Sequence, residues 1–348
     1  MKNFLKKLVE SAGWARIIIG LFLLLLFIIA PFVQVRLDTS IQDVLVRVGM
    51  NGVLVLAMVP MIRSGCGLNF GLPVGIIAGL LGALVAVEMN LTGLTAIFTA
   101  ILISLPIAVL LGFSYAQIIN RVKGSEMMIA TYIGFSSVAL MCIGWMILPF
   151  SHPTMVWGFT GQGLRTTISV ADAFQDVISN ILSFQIGDFF YFPTGMLIFF
   201  GLACYFVHLF FKSKTGIAMT AVGKNPSFAR SSSVNIDRMR TLSVIFSTAL
   251  GAIGIIIYQQ SFGFIQLYMG PFFMAFPAIA AVLLGGASLK NATITHVIVG
   301  TFLFQGVITM APSVINSMMQ SDLSEIIRII LSNGMIIYAL TRKEVYKR

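Results

Sequence analysis

Few side chains in this sequence could carry covalent chemistry, and those few are scattered. Cys66, Cys142 and Cys204 lie in or at the ends of apolar segments with no partner at metal-ligand spacing, so they read as small packing residues. His208 and His296 sit near segment ends, where they read as interfacial polar groups rather than proton relays. There is no Gly-x-x-x-x-Gly-Lys-Ser/Thr run, and Gly285-Gly286 is not one. No metal and no catalytic dyad is indicated, so an enzyme is not expected. Ionisable groups are almost absent from the middle of the apolar segments. Arg63 and Glu88 sit near segment ends, and Arg328 lies one helical turn after Glu325, where the two can pair. A transporter driven by an ion gradient usually keeps an intramembrane carboxylate or histidine, so this scarcity argues against one.

What the apolar segments do hold is neutral: Asn51, Asn69, Gln259, Gln260, Gln266, Tyr268 and Gln305 among others. Such donors and acceptors suit an uncharged, hydrogen-bonding solute. Aromatic rings cluster beside them, from Phe262 through Phe272 to Phe276. They could stack on a sugar or base face, or form an interfacial belt. Gly67, Gly71, Gly75 and Gly79 recur every four residues, a stripe that on a helix lets another backbone approach closely. Pro73 within it implies a kinked or broken start. The expected path past such a helix is lined by Asn69, Gly71, Pro73, Gln266, Tyr268 and Phe272.

The charged residues concentrate elsewhere. Residues 212–240 form a basic island carrying Lys212, Lys214, Lys224, Arg230, Arg238 and Arg240 against a single acid, Asp237. It lies between two long apolar segments. A plain solvated loop is one reading of it, and a surface that touches a partner is the other.

The elements that must position these groups are membrane helices. Hydrophobic residues make up 58% of the chain and charged ones 10%, too little polar surface for a water-soluble domain. The apolar runs have the length a spanning helix needs rather than the alternation of a barrel strand. About ten segments can be placed, near 17–35, 44–62, 68–89, 94–119, 127–149, 190–211, 241–260, 271–289, 293–312 and 324–341. With both termini inside, most of the 22 basic residues fall inside, including Lys2, Lys6, Lys7, Arg342, Lys343, Lys347 and Arg348. Most acids, among them Asp38, Glu88, Asp172, Asp188 and Asp322, fall outside. The net charge of +10 is thus a topology signal and not one for nucleic acid. The first segment follows a basic start without a cleavage pattern and is expected to remain as an anchor. Within the longest external segment, 150–189, which includes Gly161, Val170 to Phe184 has apolar residues at helical spacing. It is expected to be an amphipathic helix at the outer membrane surface or under a partner. The fold class is therefore an all-α polytopic membrane protein in one domain over 1–348. Segments 2–5 and 7–10 start from opposite sides, which suggests an inverted repeat.

At the island the sequence resembles a known family. Thr215-Gly-Ile-Ala-Met-Thr-Ala-Val-Gly-Lys-Asn-Pro-Ser-Phe-Ala-Arg230 is similar to the T-x-x-G-x-x-x-x-A-x-G-x-N-P-x-A-A-R motif of ABC importer permeases of the ribose/galactoside type. Ala278-Ile-Ala-Ala-Val-Leu-Leu-Gly-Gly-Ala-Ser288 resembles the same family's A-I-A-A-x-x-x-G-G-x-S, with Gly285 and Gly286 as its glycine pair. Gly67-Leu-Asn-Phe-Gly71 stands where the family has G-I-D-L-S, so Asn69 replaces the usual Asp. Pro277, Ser233-Val234 and Asn291-Ala292 also depart from the pattern.

The resemblance implies a permease in a bacterial cytoplasmic membrane that works with ATP-binding subunits, a second permease and an external solute-binding protein. ATP and Mg would be held by the ATPase, and none by this chain. A coupling helix near 215–223 would dock in the ATPase, with Thr215, Gly216, Ala221, Gly223, Lys224, Asn225, Pro226 and Arg230 forming the contact segment. Lys224 and Arg230 would meet the ATPase or anionic lipid headgroups. The solute would be a small neutral polar molecule, a sugar first, with nucleoside, autoinducer-2 or riboflavin as alternatives. Gly67, Gly75, Gly79, Gly285 and Gly286 would serve helix packing. The rival readings are a secondary transporter and a membrane scaffold or enzyme subunit.

Overall fold

The computed structural model describes residues 14–157, 163–186, 190–319 and 323–341. The basic residues assigned to the two termini, together with Gly161, Asp188 and Asp322, lie outside the described residues.

The chain is a helical membrane protein. In order, the helices are α1 (Trp14–Ile29), α2 (Leu37–Leu56) continued by the short α3 (Met58–Arg63), α4 (Leu72–Glu88), α5 (Gly93–Arg121) and α6 (Glu126–Ile147). After the external segment come α7 (Thr194–Lys212), α8 (Lys214–Lys224), α9 (Pro226–Ser231) and α10 (Ile236–Phe262). The last are α11 (Ala275–Leu284), α12 (Ile294–Met319) and α13 (Ser324–Thr341). Among the described residues seven helices are long and apolar enough to cross a bilayer: α1, α2 with α3, α5, α6, α7, α10 and α12. Two apolar stretches are shorter, α4 and the segment 270–284 that contains α11.

The two short stretches are short for a reason visible in the sequence. The chain before α4 turns at Gly65 and Gly67, both with left-handed backbone (φ 80° and 82°), and Pro73 sits in the first turn of the helix, where its missing N–H is harmless. The chain before α11 leaves α10 at Gly263 (φ 82°), whose N–H closes on the Gln259 carbonyl at 2.9 Å. It then runs extended, turns at Gly270-Pro271 and re-enters as helix at Ala275.

Packing follows an exchange between the two halves. α4 and α5 pack on each other and on α10, while α11 and α12 pack on each other and on α2. Each group thus takes its central helix from the other half, and α2 meets α10 where Gly254 lies against Leu54. The parallel continues in detail. α4 and α11 are both preceded by irregular chain, and the long helices beside them each contain an interior proline, Pro106 in α5 and Pro312 in α12.

Two expectations change. The glycine stripe is not one helix face, because α4 starts only at Leu72. Gly75 and Gly79 lie against the α10 backbone at Thr248 and Ala252, whereas Gly67 turns the preceding loop beside Met127 and Gly71 faces the Tyr115 ring. The segment 171–182 is a series of turns and not an amphipathic helix. Asp176 and Leu182 take left-handed backbone (φ 52° for each). Backbone donors that a helix would spend internally go to α10: Asp176 N–H to the Gln260 carbonyl at 2.8 Å, and Ile178 N–H to Gln260 Oε1 at 3.2 Å. The apolar side chains still face inward, with Phe174 and Ile178 buried.

Short strands tie this external segment down. β1 (Thr167–Ser169) pairs antiparallel with β4 (Phe264–Gln266), with Ile168 opposite Ile265 and both buried. β2 (Phe184–Ile186) pairs with β3 (Phe190–Phe192).

Candidate translocation and coupling sites

The basic island is ordered helix. Ser213 caps α8, its Oγ accepting from Gly216 N–H at 3.3 Å. Asn225 ends α8 and caps α9, its Oδ1 accepting from Phe228 N–H at 3.0 Å, with Pro226 in the first turn. Gly216 lies against the backbone of Phe210 and Phe211, and Gly223 against Arg63 and Gly65, so no Cβ fits at either position without displacing main chain. Met219 and Val222 are buried beneath the helix, and Thr215 and Ala221 are half-buried. The outward side carries Lys214, Ile217, Lys224, Pro226, Phe228 and Arg230. Ile217 is 60% exposed and Phe228 62% exposed. Two large apolar side chains among cations at a polar end have the chemistry of a docking face. The same corner is braced from behind: Arg63 Nε donates to the Ala292 carbonyl at 3.0 Å and its guanidinium lies 4.3 Å from the centre of the Phe211 ring.

At the opposite end a cavity of about 400 Å³ opens between the exchanged halves. Asn51 of α2, Tyr258 of α10, Gln266 of β4, Gln305 of α12 and Arg328 of α13 supply its polar wall. Leu54, Phe262, Phe273 and Pro277 supply apolar wall. Asn51 Nδ2 is spent on the Arg47 carbonyl at 2.9 Å. Arg328 pairs with Glu325, as their spacing predicts.

The path residues expected from sequence divide. Gln266 lines the cavity. Asn69 does not: it is fully buried, its Nδ2 donating to Ser247 Oγ at 2.7 Å and its Oδ1 accepting from the Tyr115 hydroxyl at 3.0 Å. Ser247 in turn donates to the Ala57 carbonyl at 2.5 Å. Asn69 therefore ties the loop before α4 to α5, α10 and the α2–α3 junction. Pro73 is buried at the start of α4. The Tyr268 hydroxyl donates to the Leu164 carbonyl of the external segment at 2.9 Å, and Phe272 stacks on Phe135 at 4.1 Å. Those two hold the wall in place rather than face the opening.

Gly285 lies against the backbone of His296 and Gly300, so α11 and α12 touch through glycine, and Gly286 (φ 95°) lies under the Arg16 side chain. Asn51 and Gln305 were visible in sequence as neutral groups within spans. Nothing in sequence joins them to Tyr258 and Arg328, because the polar wall is assembled from five separate elements.

The matched region of known families covers nearly the whole of this architecture. The family model described as branched-chain amino acid transport system / permease component matches residues 40–340. The chain belongs to that permease family. Both helical groups, the external segment and the α8–α9 corner fall inside the match. Among curated relatives, the tyrosine transport system permease protein of Clostridioides difficile (strain R20291) is 30% identical over 127 residues, which is 35% of this chain and 42% of that protein. The alignment thus spans less than half of that relative's length. No solved structure matches the chain.

Proposed function

We propose that this chain is the membrane-spanning subunit of an ATP-driven importer, with its basic end in the cytoplasm of a bacterial cell and its membrane the cytoplasmic membrane. The observation that carries this reading is the α8–α9 corner. It is a capped helix pair, wedged by Gly216 and Gly223 against the spans and presenting Ile217 and Phe228 among lysines and an arginine. A helix fixed so tightly to α3 and α10 passes a push from a docked ATPase to the spans as rigid-body motion. ATP and Mg belong to that partner. A second permease completes the pathway, and the external segment 150–189 receives a solute-binding protein.

The cavity between α2, α10, α11, α12 and α13 is the solute site of this reading. Its amides alone would suit a sugar, as the ribose/galactoside resemblance implies. Arg328 changes the balance. It brings a guanidinium to the cavity wall, and guanidinium is the group best matched to a carboxylate. A small amino acid is therefore the favoured solute over a neutral sugar, in line with the tyrosine permease among the relatives.

The test is purification of the chain from its native membrane in mild detergent, mass spectrometry of what accompanies it, and uptake by proteoliposomes made from the complex. A stoichiometric ATP-binding subunit and uptake that requires ATP are expected. Isolation of the chain alone, with uptake that proceeds without ATP and stops when the ion gradient collapses, would replace this reading with a secondary transporter. Competition of uptake by amino acids but not by sugars separates the two solute classes.

A further inference from the structure

A second recess, of about 300 Å³, opens at the basic end, away from the solute cavity. Its wall joins chain segments distant in sequence, with Ser64 after α3, Lys123 after α5, Lys224 and Arg230 at the α8–α9 corner, Arg240 of α10 and Lys290 before α12. No acidic residue lines it. Two of its five cations are matched from outside the wall: Lys123 Nζ lies 3.1 Å from Asp237, and Arg240 Nη2 lies 2.7 Å from Glu126. Lys224, Arg230 and Lys290 have no carboxylate within ion-pair distance among the described residues. Arg240 is only 8% exposed, yet its Nε has no hydrogen-bond partner.

Unmatched cations gathered around one concavity repel one another and concentrate field lines in it, so an anion entering the recess is attracted from every side. The donors come from separate segments of the chain that meet at the recess. A tetrahedral oxyanion, with three or more acceptor oxygens, can meet several at once, whereas a carboxylate offers two. We propose that this recess binds a phosphate-type oxyanion. Two sources carry that chemistry, the phosphate of an anionic lipid headgroup at the interface and a free phosphate-bearing solute. The site shares Lys224 and Arg230 with the docking corner of the importer reading and does not depend on the identity of the transported solute.

The test uses the full chain, with whatever partners co-purify, in nanodiscs at fixed ionic strength. One arm measures equilibrium binding of radiolabelled orthophosphate in pure phosphatidylcholine. The other measures retention of phosphatidylglycerol over phosphatidylcholine by native mass spectrometry. Saturable binding in the first arm assigns a free phosphate, and selective retention in the second assigns a lipid headgroup. In either arm Lys290→Gln should weaken binding about tenfold, the scale of one charge-assisted hydrogen bond. Lys290→Arg should retain it, and Arg121→Gln, a cation of the same end outside the recess, should leave it unchanged. Three results would overturn the proposal: neither probe held, Lys290→Gln and Arg121→Gln weakening binding equally, or Lys290→Gln releasing a protein partner while both probes bind as before. Neither arm reads transport, so failure here is separate from failure of the importer assignment.

Discussion

Asn69, Tyr115 and Ser247 form a directed chain of donors, from the Tyr115 hydroxyl to Asn69 Oδ1, from Asn69 Nδ2 to Ser247 Oγ, and on to the Ala57 carbonyl. All three side chains are buried. Tyr115→Phe leaves the Asn69 oxygen without its donor and should lower stability by about 1–3 kcal/mol. Asn69→Asp, the residue that the resembling family carries there, puts an acceptor where Ser247 needs a donor and brings charge into the core. It should cost more than Tyr115→Phe, read as a lower Tm of the purified complex. An Asp variant at least as stable as the parent would mean that water reaches Asn69 and that it faces a path. Asn69 stood out in sequence as a polar residue among glycines, but its surroundings did not. Its two partners lie 46 and 178 positions away, and a lone amide in an apolar stretch looks the same whether it faces a solute or a tyrosine. The residues of the α8–α9 corner were easier to read because their signals are local. Asn225-Pro226 ends one helix and starts the next through contacts within three residues. Asn225→Ala should remove the cap at about 1 kcal/mol and expose residues 226–231 to limited proteolysis.

Among the elements, β1 and β4 form a short ladder that links the external segment to the cavity wall. Gln266 at the end of β4 lines the cavity, while Ser169 and Phe264 at the other end of the pairing are exposed. If solute passage requires the wall to move relative to the external segment, fixing the ladder should stop it. Ser169→Cys with Phe264→Cys, in a background without Cys66, Cys142 and Cys204, should cross-link on oxidation and lose uptake, with recovery on reduction. Uptake that continues in the oxidised form would show that β1 and β4 travel together. Turns that pass through left-handed residues such as Asp176 and Leu182 can bury apolar side chains at the same spacing as a helix, so the helical spacing in Val170 to Phe184 does not fix the backbone. Apolar spacing reported which side chains are buried, such as Phe174 and Ile178, but not the backbone that buries them. The long spans were legible because length and apolar composition alone decide them. The short ones were legible only as apolar segments, since their broken starts depend on glycine turns and on packing against the other half.

At the scale of the whole molecule the charge asymmetry sets direction. Lys123, Lys214, Lys224, Arg230 and Lys290 lie at one end, and Asp38, Glu88 and Asp172 at the other. Single cysteines at Lys290 and Asp38 should react with a membrane-impermeant thiol reagent from opposite sides of the membrane, Lys290→Cys only from the cytoplasm. Labelling of both from one side would break the topology and the docking assignment with it. The exchange of α2 and α10 between the halves bears on how the chain is made. During synthesis α2 enters the membrane long before α11 and α12, the helices it packs on, exist. The Arg63 to Ala292 hydrogen bond, which closes this arrangement at the basic end, spans 229 positions. The first half must wait in lipid with its small-residue grooves at Gly75 and Gly79 unfilled until α10 arrives. A chain cut in the loop between α9 and α10 should therefore yield two fragments that are degraded when made alone and persist when made together.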